Sequence, residues 1–301
     1  MINKVYAPLL LILFNRFSYT KKLIKKVNHN KFKKIYIVID GPRYQNKFDK
    51  IEIRKIRLML LKTKWNSKIQ VLIRKNNHGC AINIYKSIKW FFSNEKMGII
   101  LEDDCIPNKY FFEYVDFYLK KFSNSKNIGA ISGIDRRLIN KSHFKDNYLS
   151  KFFGAWGWAT WRKEIKHFRI KINHNSKIEK NIKNWVGNSK VTKNIIFNAK
   201  NGLNKFNTWD YQMTYMLLKR KKYIIRPTIN QIDNIGRKKT THTNFFLPNR
   251  FKNSKYRFNK LHFTNYNFFD DLFFYFTQYI FINRIVKIFF ILKKIFFKNL
   301  S

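Results

Sequence analysis

Four short apolar runs, separated by helical patterns, constrain this chain more than any other feature. They are Pro8 to Phe14, Ile35 to Ile39, Ile69 to Ile73 and Gly98 to Leu101. Between them, the segment from Ser18 to Val27 can cap at Ser18 and places Leu23, Ile24 and Val27 on one face. A long helix is expected from about Phe48 to Lys62, and Ile84, Ile88, Phe91 and Phe92 form a further helical stripe. Strands alternating with helices are the sign of βαβ units and a mostly parallel sheet. In open sheets of that kind a ligand sits beyond the carboxyl ends of the strands. Arg16, Asp40, Arg74 and the acidic cluster Glu102-Asp103-Asp104 all follow such ends, so they are expected to converge on one crevice.

Past Asn108 the pattern loosens. A helix carrying Phe111, Phe112, Val115, Leu119 and Phe122 is followed by a short strand, Ile128 to Ser132, and a tight Trp-rich loop from Gly154 to Trp161. Residues 163–207 are rich in Lys and Asn and read as helical, substrate-side structure. A helix beginning near Thr208-Trp209-Asp210 and a strand from Tyr223 to Arg226 close the core, and no internal repeat occurs.

Composition narrows the function classes. The formal charge of +45 attracts polyanions, but lysine is spread through every segment, as on a solvated surface, so nucleic acid is not expected as a partner. The two cysteines, Cys80 and Cys105, have no spacing for zinc or a disulfide framework. The run Ala7 to Phe14 ends at Asn15-Arg16 without a small-residue cleavage site, which favours a buried strand and a cytoplasmic chain. No uncharged apolar stretch reaches the ~18 residues of a spanning helix. A G-x-G-x-x-G after the first strand and a Walker lysine loop are both missing, against a dinucleotide oxidoreductase or a P-loop enzyme.

Three adjacent carboxylates repel unless a cation or hydrogen bonds compensate them. A divalent metal, Mn²⁺ or Mg²⁺, is the simplest compensator, held by one or two carboxylates with water and a substrate diphosphate supplying the rest. A solvated acidic turn is the alternative that these residues alone leave open.

The order of the motifs points further. Pro8 to Arg16, Ile39-Asp40-Gly41-Pro42-Arg43, Arg74 with Asn77-His78-Gly79-Cys80, and Ile99 to Pro107 are followed by Trp156 to Trp161, Trp209-Asp210-Tyr211-Gln212, Asn234-Ile235-Gly236 and Thr241-His242-Thr243. Over roughly residues 5 to 245 this series resembles bacterial glycosyltransferases of the A-type (GT-A) nucleotide-sugar fold, similar to family 2 transferases and the N-acetylglucosaminyltransferase I enzymes. The resemblance implies an α/β catalytic domain over 1–250, with a nucleotide-sugar half (1–135) and an acceptor-side half (136–250). It implies Arg16 on the nucleotide, Asp40 on the nucleobase, Asp103 on the ribose, Asp104 on the metal, and Glu102 supporting the other two acids. Asp210 would be the general base, although a first-turn acid favoured by the helix dipole is a rival reading. Arg74 would contact the diphosphate, His242 could reach the metal or a phosphate, and the tryptophans could stack on a sugar or be core.

The segment 251–301 reads as an appendage. From Leu272 to Phe297 apolar residues are broken by Arg284, Lys287, Lys293 and Lys294, the composition of an amphipathic helix in a membrane interface. A helix packed back on the domain is the alternative. The expectation is therefore an inverting, metal-dependent transferase that moves a sugar from a nucleotide-sugar donor to a glycan or lipid-linked acceptor. Its setting would be envelope polysaccharide synthesis at the inner face of the cytoplasmic membrane, touched through 270–298. A sugar-phosphate nucleotidyltransferase and a non-catalytic basic binder are the rivals.

Overall fold

The computed structural model describes residues 3–135, 147–227, 229–238 and 263–264. His242 and the segment 270–298 lie outside them. In chain order the elements begin β1 (Asn3–Val5), β2 (Leu9–Leu13), α1 (Phe17–Val27), β3 (Asn30–Phe32), β4 (Ile35–Ile39), α2 (Lys47–Lys62) and β5 (Ile69–Ile73). They continue α3 (Cys80–Asn94), β6 (Met97–Glu102), β7 (Cys105–Pro107), α4 (Phe111–Lys121), β8 (Ile128–Ser132), β9 (Asn147–Ser150) and β10 (Trp158–Trp161). The last are α5 (Arg162–Ile165), α6 (Ser176–Val186), α7 (Ser189–Asn201), α8 (Asp210–Lys219), β11 (Tyr223–Arg226), β12 (Ile232–Asn234), a 3-10 turn (Ile235–Lys238) and β13 (Phe263–Thr264).

The fold is α/β, a large central sheet flanked by helices. Among the described residues nine strands run in the order β13-β9-β11-β8-β10-β6-β2-β4-β5. From β6 to β5 all neighbours are parallel, as the apolar runs demand. Their side chains alternate between two helical layers. Leu9, Leu11, Ile37 and Ile39 join α1, α2 and α4 on one face, while Leu10, Ile12, Tyr36 and Val38 join α3 and α8 on the other. Every residue of β2 and β4 is buried, which is why neither run shows a polar alternation.

Two expectations change, and the helical reading of residues 163–207 holds. The Trp-rich loop ends in strand β10, which inserts antiparallel between β6 and β8 and buries Trp158 and Trp161. Ser18 does not cap α1; the helix starts one residue earlier, and the Phe17 amide donates to Glu52 Oε2 of α2 at 3.2 Å. The Lys/Asn-rich stretch is helical for a local reason: Asn175 and Asn188 cap α6 and α7 with their side chains, and Gly187 at φ +80° closes α6. Among the described residues no helix is long and apolar enough to cross a membrane.

One buried acid ties the loops behind the site. Asp49, fully buried in the first turn of α2, accepts from Arg43 Nε at 2.7 Å, Arg43 Nη2 at 2.8 Å and Asn15 Nδ2 at 2.7 Å. Burial pushes its carboxyl up, but the hydrogen bonds from Arg43 and Asn15 outweigh it, and the net direction is down. Asp49→Ala is expected to lower unfolding free energy by about 1–3 kcal/mol in urea titrations at neutral pH. Because Asp49 is depressed, its contribution is lost as pH falls through its folded value, so the variant and the wild type should converge in acid.

Candidate active site

β2, β4, β5 and β6 are parallel neighbours, so the residues that follow their carboxyl ends lie along one edge of the sheet, the candidate crevice. β2 and β6 pair in parallel with Ile12 opposite Glu102, so the residues that follow each strand meet. Arg16 forks onto Asp103, with Nε on Oδ2 at 3.2 Å and Nη2 on Oδ1, and its Nη1 donates to Asp104 Oδ2 at 2.9 Å. Glu102, the last residue of β6, accepts no hydrogen bond from Arg16 and lies within electrostatic reach of Asp104, Asp103, Arg16 and Asp210. The acidic cluster is thus a divided set, and only part of it is neutralised by Arg16.

The energetics follow from that division. Desolvation, then the charges of Asp104 and Asp103, hold Glu102 up at about 8. Asp103 is raised to about 6, again chiefly by burial, although Arg16 opposes the rise. Burial works against the Arg16 charge, but Asp103 and Asp104 overcome it and raise its value.

Asp104 is 8% exposed and sits under a second wall. β12 pairs antiparallel with β7, matching Asn234 with Cys105, and the Ile235 amide donates to the Asp104 carbonyl at 2.9 Å. Gly236 then passes directly over the carboxylate. A Cβ there would fall 3.0 Å from Asp104 Cβ and Cγ, and closer still to Oδ2, so only glycine leaves the group its place.

Asp40, expected at a nucleobase, is 3% exposed and spends both oxygens on the neighbouring loop. It accepts from Asn77 Nδ2 at 3.0 Å and from the His78 amide at 3.1 and 3.2 Å. Gly41 permits this closure, since a Cβ would lie 2.7 Å from the Asn76 nitrogen. Burial raises Asp40, opposed by those hydrogen bonds. Arg74 is half-buried, donating to Asn83 Oδ1 at 2.8 Å, and no carboxylate salt-bridges it among the described residues. Beside it, His78 Nδ1 is buried without a hydrogen-bond partner.

Asp210 opens α8. Its carboxylate does not cap the helix but takes the Thr208 hydroxyl. Its charge acts on Glu102 and on Cys80 at the first turn of α3, as does that of Asp104. Asn207, which sequence reasoning missed, joins the two walls: at φ +45° its Oδ1 accepts from the Ala81 amide at 3.1 Å. Nothing in a run of Lys and Asn marks it out. Trp209, Trp158 and Trp161 are core, and half-buried Trp156 packs against the same core as Trp161.

Among the described residues no three of His, Cys, Asp and Glu group as a metal cage. The donors fit a cation differently: Asp104 offers one carboxylate, and a substrate diphosphate and water would complete a shell of hard oxygens. In metal-free buffer, raised carboxyls favour the fold most when protonated. Stability from Glu102 is therefore full below the ordinary carboxylate range and is lost as pH climbs toward about 8. Thermal unfolding should show wild type losing on the order of a few kcal/mol from pH 5 to 8. Glu102→Gln should flatten that loss, and an unchanged slope would count against the electrostatics described.

No protein-family model matches the chain, and no curated protein matches its sequence. Among solved structures, a UDP-glucose pyrophosphorylase complexed with UDP-glucose is similar at 9% identity and a TM-score of 0.36, over 75% of this chain and 90% of that one. HddC from Yersinia pseudotuberculosis is similar at 10% identity and a TM-score of 0.33, over 53% of this chain and 79% of that one. At such values neither likeness bears on any residue of the crevice.

Proposed function

We propose that the crevice moves a sugar from a nucleoside diphosphate donor to a hydroxyl of a glycan or lipid-linked acceptor, with inversion. The observation that supports this reading is that acids from two separate elements, Asp104 and Asp210, both act on Glu102 and on Cys80. Asp104 lies under Gly236 at the end of β6, while Asp210 opens α8 close enough to act on Glu102.

Each role follows from a side chain's surroundings. Arg74 has no carboxylate salt bridge among the described residues and lies near enough to feel the charge of Asp40, which suits a diphosphate. Asp103 acts through Arg16, holding the guanidinium at the nucleotide side, and Asp40 acts through the loop it ties. Asp104 would hold Mn²⁺ or Mg²⁺, whose chemistry is to neutralise charge on a leaving diphosphate. Asp210, with one oxygen engaged by Thr208, takes the proton from the acceptor hydroxyl. The acceptor oxygen bonds to the anomeric carbon from the face opposite the diphosphate, and the bond from that carbon to the diphosphate oxygen breaks, releasing nucleoside diphosphate. Trp156 would stack on a sugar.

A nucleotidyltransferase is the second reading: Arg16 stands in the loop after β2, but Phe14-Asn15-Arg16-Phe17 is without the glycines such a loop usually carries, and the guanidinium is given to Asp103 and Asp104. The two reactions separate cleanly in assay. Nucleotide sugar with acceptor should yield nucleoside diphosphate, whereas nucleoside triphosphate with sugar 1-phosphate should yield no pyrophosphate; the reverse pattern would establish the second reading.

Asp210→Asn is expected to keep donor binding and lose turnover by ~10²–10⁴-fold, and full turnover in this variant would remove the proposed base. Cys80 supplies an independent readout, being the exposed thiol while Cys105 is buried. Donor nucleotide sugar with Mn²⁺ should slow thiol labelling of Cys80, and Asp104→Ala should abolish that protection. Labelling indifferent to donor would place the ligand elsewhere.

A further inference from the structure

The outer face of α2 is built unlike a solvated helix. Phe48, Ile51, Leu58 and Leu61 are between 47% and 82% exposed, and they fall within roughly 140° of the circumference at 3.6 residues per turn. Lys47, Arg54, Lys55 and Lys62 share that arc and are exposed as well. No acid interrupts it: Asp49 is buried under Arg43, and the Glu52 carboxylate is turned toward α1 and Lys55.

The sheet edge extends the surface. Ile69, Val71 and Ile73 of β5 are in register with Ile35, Ile37 and Ile39, which pack in the core with Ile53, Ile56 and Leu60 of α2. The three β5 side chains therefore share the sheet face that α2 covers, but lie beyond it at the open edge, each at least 37% exposed. Seven large apolar side chains thus stand in water beside a row of cations.

We propose that this face of α2 and β5 docks on an anionic lipid bilayer, with Phe48, Ile51, Leu58 and Leu61 entering the headgroup region and the flanking Lys and Arg meeting lipid phosphates. Charge decides among occupants. A second copy of this chain would bring its own cations against these, in a molecule of net charge +45. A nucleic acid would answer the cations but give the leucines and isoleucines nothing to enter. A bilayer with acidic headgroups satisfies both sets at once. The helix starts from the loop after Asp40, so docking would lay the crevice alongside the membrane surface. The proposal rests on this surface alone and is independent both of the reaction at the crevice and of the segment 270–298.

The test uses the full chain and phosphatidylcholine vesicles with and without phosphatidylglycerol. Wild type should sediment with the anionic vesicles and be released by salt, and Ile51→Glu/Leu58→Glu should bind them at least about tenfold more weakly. Leu58→Cys carrying an environment-sensitive fluorophore, in a Cys80→Ser background, should shift to the blue on anionic vesicles, a readout that binding through another segment does not give. Vesicle binding equal in the double variant and no spectral shift at position 58 would overturn the proposal. So would light scattering showing wild type as a dimer that the double variant breaks, with vesicle binding intact, since the face would then be an interface between copies. Should the double variant fail to fold, Lys47→Glu/Arg54→Glu replaces it, with the same tenfold loss expected.

Discussion

The Arg16 guanidinium, forked onto Asp103 and touching Asp104, is the interaction on which the crevice depends. Three carboxylates in succession at the end of a buried strand repel strongly where water is scarce. Arg16 answers two of them because β2 and β6 pair in parallel, so that the chain leaving β2 turns across the end of β6. Glu102 accepts no hydrogen bond from Arg16, and burial with the charges of Asp104 and Asp103 favours its protonation. A cation entering beside Asp104 would meet a site half neutralised already, and would have to share that carboxylate with Arg16 or displace it.

Around this pair the loops are fastened by polar side chains that leave few groups free. Asp49 holds the turn of Asn15 and Arg43, Asp40 holds the turn of Asn77 and His78, and Asn207 holds the start of α3. These fastenings take up acids that a sequence alone would offer to a ligand. Fewer groups are left over among the described residues: Arg74 without a carboxylate partner, the buried Nδ1 of His78 and the second oxygen of Asp210, while Asp104 beneath Gly236 already accepts from Arg16 and the Cys105 thiol. A rigid rim with few free groups is what positions a substrate without reorganisation during reaction.

The parallel half of the fold was legible because its strands are buried on both faces and so read as unbroken apolar runs bounded by turns. That same pattern located Arg16, Asp40, Arg74 and the acidic cluster at strand ends. Strand β10 was not legible: its Trp-Ala-Thr-Trp has the residues of a loop against a ligand as readily as those of a strand, and only pairing with β6 and β8 decides. The β7 and β12 ribbon is three residues on each side, too short for any periodicity, so the approach of Gly236 to Asp104 could not be foreseen, although the glycine stood in a motif. Asp40 illustrates a further limit. Its position was right, but whether a strand-end acid faces a ligand or its own loop depends on hydrogen bonds from Asn77 and His78 that no spacing reveals.

The most direct measurement is a calorimetric titration of nucleoside diphosphate into wild type and Gly236→Ala, each with Mn²⁺ and with chelator, after thermal unfolding has shown both folded. If the Asp104 carboxylate under Gly236 is the seat of a shared cation, wild type binds the diphosphate with Mn²⁺ and not with chelator, and Gly236→Ala loses that metal-dependent binding. Equal binding in all four titrations would contradict it, because neither the cation nor the space over Asp104 would then matter to the ligand.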